Sequence, residues 1–168
     1  NLPSFTSYPD ASWGFRARVE TSKHWDVMGG IYYSDDSLSE NGNHGVDFSL
    51  RSSAGMTAIG QIGYRHNPSQ AHTGLPGNYV IGGYYDSGAF PNFSSLQQTE
   101  INGNYALYVM LDQMVYREGE PDGKQGLTPF GTASFAPEQD RNAVPYFFAI
   151  GLVYQGLLPG RDSDVVAL

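Results

Sequence analysis

The chain has no cysteine, so a disulfide framework and a thiolate metal site are both excluded. Charge is also scarce. Asp, Glu, Lys and Arg make up 15% of the 168 residues, below the roughly 25% usual in soluble domains. No stretch approaches the ~18 consecutive apolar residues of a transmembrane helix. Basic residues are few, 9 against 17 acidic ones, for a net charge of −8. That balance argues against nucleic acid as a partner, which wants a basic face. No G-x-S-x-G, H-E-x-x-H or phosphate-binding loop occurs, so neither a catalytic set nor a cofactor is expected. The histidines, His24, His44, His66 and His72, lack ligand spacing, and the acidic stretch at Asp35, Asp36 and Glu40 lacks that of a calcium loop. No signal peptide opens the sequence, which is neutral, because a secreted protein loses it.

What is present is tyrosine, 12 residues, and glycine, 21 residues. This is the composition of a β protein, and it fits an outer-membrane barrel whose strands alternate. The alternation is explicit. In Ala11 to Glu20, Trp13, Phe15, Ala17 and Val19 oppose Gly14, Arg16, Arg18 and Glu20. Trp25 to Ser34 follows after a polar turn, which predicts a hairpin. Val46 to Leu50 reads as a short third strand, and Met56 to Arg65 as a fourth in which Ile59 falls on the polar side. Asn78 to Asp86, Gly103 to Tyr116, Leu127 to Phe135 and Val144 to Tyr154 follow. Val165 to Leu168 begins a ninth. A short helix is expected near Leu96. Short links (Thr21 to His24, Arg51 to Gly55) recur between longer ones, as short turns and long loops alternate in such barrels.

Three blocks in order carry a resemblance: DQMVY at Asp112, FGTASFAPEQDRN at Phe130, and GLVYQGLLPGRDSD at Gly151. With them the chain resembles the OprB family of carbohydrate-selective porins. The resemblance implies an all-β, antiparallel transmembrane β-barrel of about 16 strands, the class that leaves an aqueous channel. Residues 1–168 supply about eight or nine of these strands as one partial barrel domain, with no second domain expected. A complete 8-stranded barrel competes, and its interior would be filled by side chains. The resemblance further implies the bacterial outer membrane, carbohydrate substrates, contact with outer-membrane lipid, a monomer or homotrimer, and no enzymatic activity. A lipid-acting barrel enzyme and a soluble lectin-like β-sandwich are the alternatives.

On the barrel reading, Arg16, Arg18 and Glu20 sit on the non-lipid face of one strand. They could offer donors and acceptors to sugar hydroxyls, since lining residues set channel selectivity. Asp47, Gln61, Arg65 and Asp112 share that parity. A plainly solvated wall is the competing reading for all seven. Trp13, Tyr33, Tyr64, Tyr85, Tyr116, Phe148 and Tyr154 gather towards strand ends, as an interfacial aromatic girdle or as ordinary sheet aromatics.

Overall fold

The computed structural model describes residues 13–35, 49–51, 54–68, 74–97, 99–119 and 123–168. Its strands are β1 (Gly14–Glu20), β2 (Trp25–Ser34), β3 (Gly55–His66), β4 (Gly77–Pro91), β5 (Glu100–Gln113), β6 (Tyr116–Arg117), β7 (Gly126–Phe135), β8 (Tyr146–Gln155) and β9 (Val165–Ala167). They form one antiparallel sheet in the order β1-β2-β3-β4-β5-β7-β8-β9, with the short β6 against β7. Neighbours in sequence are neighbours in space, the arrangement that hairpin links produce. Among the described residues no helix forms, and β1 does not meet β8 or β9, so the sheet stays open. A single open sheet is not a sandwich of two packed sheets, which removes the lectin-like reading.

Two sequence expectations are corrected. The short strand over Val46 to Leu50 does not form where it can be seen. Val46 to Phe48 lie outside the described residues, and Ser49 and Leu50 are not in a strand. Both edges of β2 are already taken, by β1 and β3, so nothing can enter the sheet between β2 and β3. β3 stands next to β2 in the sheet, and among the described strands the expected alternation of short and long links is not seen. The helix near Leu96 is instead a pair of turns between β4 and β5. There the Asn92 side chain accepts from the Ser94 backbone N–H, a local bond that competes with helix.

Register aligns the two faces across the whole sheet. Phe15 stands opposite Ile31, Val19 opposite Val27, and Val27 opposite Ile62. Ile62 meets Ile81, Ile81 meets Val109, Val109 meets Ala133, and Ala133 meets Phe148. No Asp, Glu, Lys or Arg of β1 to β8 lies on this apolar face. It is nonetheless exposed, with Phe148 at 79% and Ile150 at 85%. An apolar face this bare needs hydrocarbon or another apolar surface as its surroundings. Trp13, Phe15, Val19, Ile31, Leu107, Val109, Phe148, Ile150 and Leu152 all lie exposed on this face.

Two aromatic belts border this face. One runs through Trp13, Tyr33, Tyr85, Tyr105, Phe135 and Tyr146, the other through Trp25, Tyr64, Tyr79 and Tyr154. Trp25, Tyr64 and Tyr79 touch ring to ring, at 4.7 and 6.2 Å between centroids. Phe148 lies one row inside the first belt, level with Val27 and Val109. The belts do not follow the hydrogen-bonded rows. The row through Gly29 reaches Tyr146, four residues short of the Tyr33 belt position on β2. The row through Trp25 reaches Ile150, four residues short of Tyr154. Both belts drift together.

Candidate functional site

The opposite face carries every charged side chain of the strands β1 to β8. Its densest part lies where β1, β2 and β3 meet. Asp26 is only 4% exposed. Its carboxylate accepts two bonds from Arg18, from Nε and Nη2, each 3.0 Å. Arg65 Nε approaches the same carboxylate at 3.8 Å, and Arg65 Nη2 reaches Glu20 at 3.3 Å. Two cations and two anions thus form one neutral cross-strand network. The bidentate grip fixes the Arg18 plane and occupies two of its five N–H donors. The remaining donors point away from Asp26, and the side chain stays half exposed.

Space for this network comes from Gly63, directly across from Asp26. A Cβ there would stand 2.9 Å from Asp26 Oδ1 and 3.2 Å from Oδ2. Gly63→Ala is therefore expected to push the carboxylate off Arg18 and cost about 1–3 kcal/mol, as overpacking does. The midpoint of heat-induced mobility change on gel electrophoresis measures this. An unchanged midpoint would show that the carboxylate relocates freely.

Further along the same face, Gln61 accepts from the Tyr108 hydroxyl at 2.8 Å. The end of the Tyr108 ring covers Gly82, where a side chain would collide with it. Asp112 accepts both of its bonds from Asn78 Nδ2, at 2.8 and 2.7 Å. Arg16 is across from Gly30, outside the Asp26 network. So Arg16, Arg18, Glu20, Gln61, Arg65 and Asp112 share one face. Arg18, Glu20 and Arg65 are joined, and Gln61 and Asp112 each have a separate partner. Asp47 lies outside the described residues.

The comparisons with known proteins bear on this two-faced sheet. The sequence profile of the carbohydrate-selective porin, OprB family, matches residues 3–168. This chain belongs to the OprB family. No curated protein matches it in sequence. In fold it is similar to OprB of Pseudomonas putida, in a structure determined at high pH, with a TM-score of 0.77 and 21% identity. The match covers 95% of this chain and 39% of that one, so the chain spans well under half of the OprB it resembles.

For this OprB-family chain the sequence reading missed the residue at the centre of the network. Asp26 lies between Trp25 and Val27 on β2, whose alternate residues Trp25, Val27, Ile31 and Tyr33 are apolar. Its alternation alone places it with Arg18, but only cross-strand register shows that the two touch. Gly63 was equally silent, because a glycine that makes room is indistinguishable in sequence from one that makes a bend.

Proposed function

We propose that residues 1–168 form part of the wall of an outer-membrane channel through which carbohydrates diffuse passively, with the polar face towards the water-filled passage. The observation that carries this is the complete separation of the faces. Every strand charge lies on one side, and the bare apolar side is bordered by aromatic belts, the pattern of a lipid-facing barrel wall. Membership of a family of carbohydrate-selective porins supplies the class of solute. The reading invokes no catalytic step.

In this reading Arg16, Arg18, Glu20, Gln61, Arg65 and Asp112 line the passage. A guanidinium held by a carboxylate presents its free donors in a fixed plane, suited to paired sugar hydroxyls. Water competes for such bonds, so each contributes only about 1 kcal/mol. That suits a channel, where a solute must also leave. Replacing Arg16 and Arg18 together with alanine is expected to shift ion preference towards cations. It should also weaken sugar block of the current about fivefold for each bond lost. Planar-bilayer recordings on the outer-membrane-extracted protein, with and without glucose, test this. Unchanged ion preference and unchanged block would place the constriction away from these residues.

A further inference from the structure

Three aromatic side chains on the polar face recline on glycines. A Cβ on Gly14 would run into the Cδ1 edge of the Tyr32 ring, and a Cβ on Gly30 into its Cε2 edge, so this ring lies across both. The end of the Tyr108 ring covers Gly82, and its hydroxyl continues to Gln61 on β3. Tyr108 and Gln61 are two strands apart, about 10 Å, a span the side chain bridges only by lying along the sheet. The tip of the Phe130 ring covers Gly151 on β8. Each ring keeps open surface: Tyr32 and Tyr108 are half-buried, and Phe130 is 39% exposed. Tyr84, on the same face, offers none. It is buried with Ala106 and Ala136, and Ile59 packs beside them.

The three rings lie at successive depths. Counted from the aromatic belt through Tyr33, Tyr105 and Phe135, Tyr32 is one residue in, Tyr108 three and Phe130 five. Each step of two residues is about 7 Å along a strand. Glycine beneath a ring lets it sink close to the backbone, so it adds apolar surface without standing into the passage. A pyranose carries its hydroxyls on its rim and C–H bonds on its faces. Water competes for the rim but gains nothing from the faces. An aromatic ring takes such a face by apolar contact and by the attraction of its negative π surface for C–H groups. Beside Tyr108 the rim finds a partner too. Gln61 accepts the phenol hydroxyl through Oε1, which leaves its Nε2 donors next to the ring. The charged network begins one polar-face position further along β3, at Gly63 across from Asp26.

We infer that Tyr32, Tyr108 and Phe130 are stacking platforms that a passing pyranose meets in turn, and that they make the passage favour ring sugars over open-chain polyols. This rests on the channel reading. The probes are glucose and sorbitol, which share six carbons and a set of hydroxyls but differ in having a ring. Block of single-channel current by each is measured on the outer-membrane-extracted protein, beside liposome swelling driven by each. The unaltered protein is expected to be blocked about fivefold more tightly by glucose. Tyr108→Leu and Phe130→Leu keep apolar bulk over the glycine but remove the π face. Each should weaken glucose block about fivefold and change sorbitol block less than about twofold. Tyr108→Phe keeps the ring and loses the tie to Gln61, so its glucose preference should fall between the unaltered protein and Tyr108→Leu. If a leucine variant fails to assemble, Tyr108→Phe and the unaltered protein's own preference decide. Equal block by the two solutes, or leucine variants that lose stability yet keep the preference, would overturn the platforms and leave the rings as packing for their glycines. An unaltered protein through which neither solute enters liposomes would instead refute the channel reading, and the platforms with it.

Discussion

Val109→Arg is expected to destabilise the membrane-inserted protein by about 2–4 kcal/mol, while Met110→Arg, one residue on, should cost less than about 1 kcal/mol. The two positions are both half exposed in the bare sheet, so exposure does not separate them. Face separates them. Val109 lies between Ile81 and Ala133 in the middle of the apolar band. Met110 lies between Val80 and Thr132 on the polar side. A guanidinium in the middle of hydrocarbon loses its hydration without gaining a partner, whereas in an aqueous passage it keeps its water. Equilibrium unfolding by urea in phospholipid vesicles measures both costs. Equal penalties, or a larger one at Met110, would mean that the faces are assigned the wrong way round.

Asp26→Asn is expected to have the largest effect on the passage. The amide is nearly the same shape but carries no charge, so Arg18 and Arg65 lose the carboxylate they share. A charge-assisted bond is worth about 1.5–3 kcal/mol, and half-exposed Arg18 recovers part of that from water. A stability loss of about 2 kcal/mol follows from those two terms. The local balance becomes one positive charge, so ion preference should move towards anions. Adding Arg18→Gln restores neutrality. The double variant should then recover much of the ion preference, with a coupling of about 1 kcal/mol in the double-mutant cycle. Strict additivity would show that Arg18 and Asp26 do not act as a pair.

Much of this was readable from alternation. The faces of β1, β2, β5 and β8 follow from the order of Phe15, Ile31, Leu107 and Ile150 alone, because side-chain direction reverses at each residue of a strand. Alternation is local, however, and pairing is not. That is why Asp26 and Gly63 stayed hidden, and why Ser49 and Leu50 looked like the end of a strand although β2 had no free edge to pair with one. Ile59 was visible as an anomaly. Its explanation lies more than seventy residues away in Ala136, a distance no local pattern spans.

The common drift of the aromatic belts measures how the sheet leans in its surroundings. Four residues over the five strand steps from β2 to β8 is about 13 Å of rise for about 24 Å of lateral travel, hence a lean of about 30°. From Tyr146 to Tyr154 is eight residues, about 26 Å along β8 and about 23 Å along the bilayer normal at that lean. An average hydrocarbon core is about 30 Å thick, and the bacterial outer membrane is thinner. In a thicker bilayer acyl chains would press on both aromatic rows, and the lipid would have to thin locally at an energetic cost for each ångström of excess. Hydrophobic matching therefore favours the thinner of the two membranes of a Gram-negative envelope as this wall's resting place.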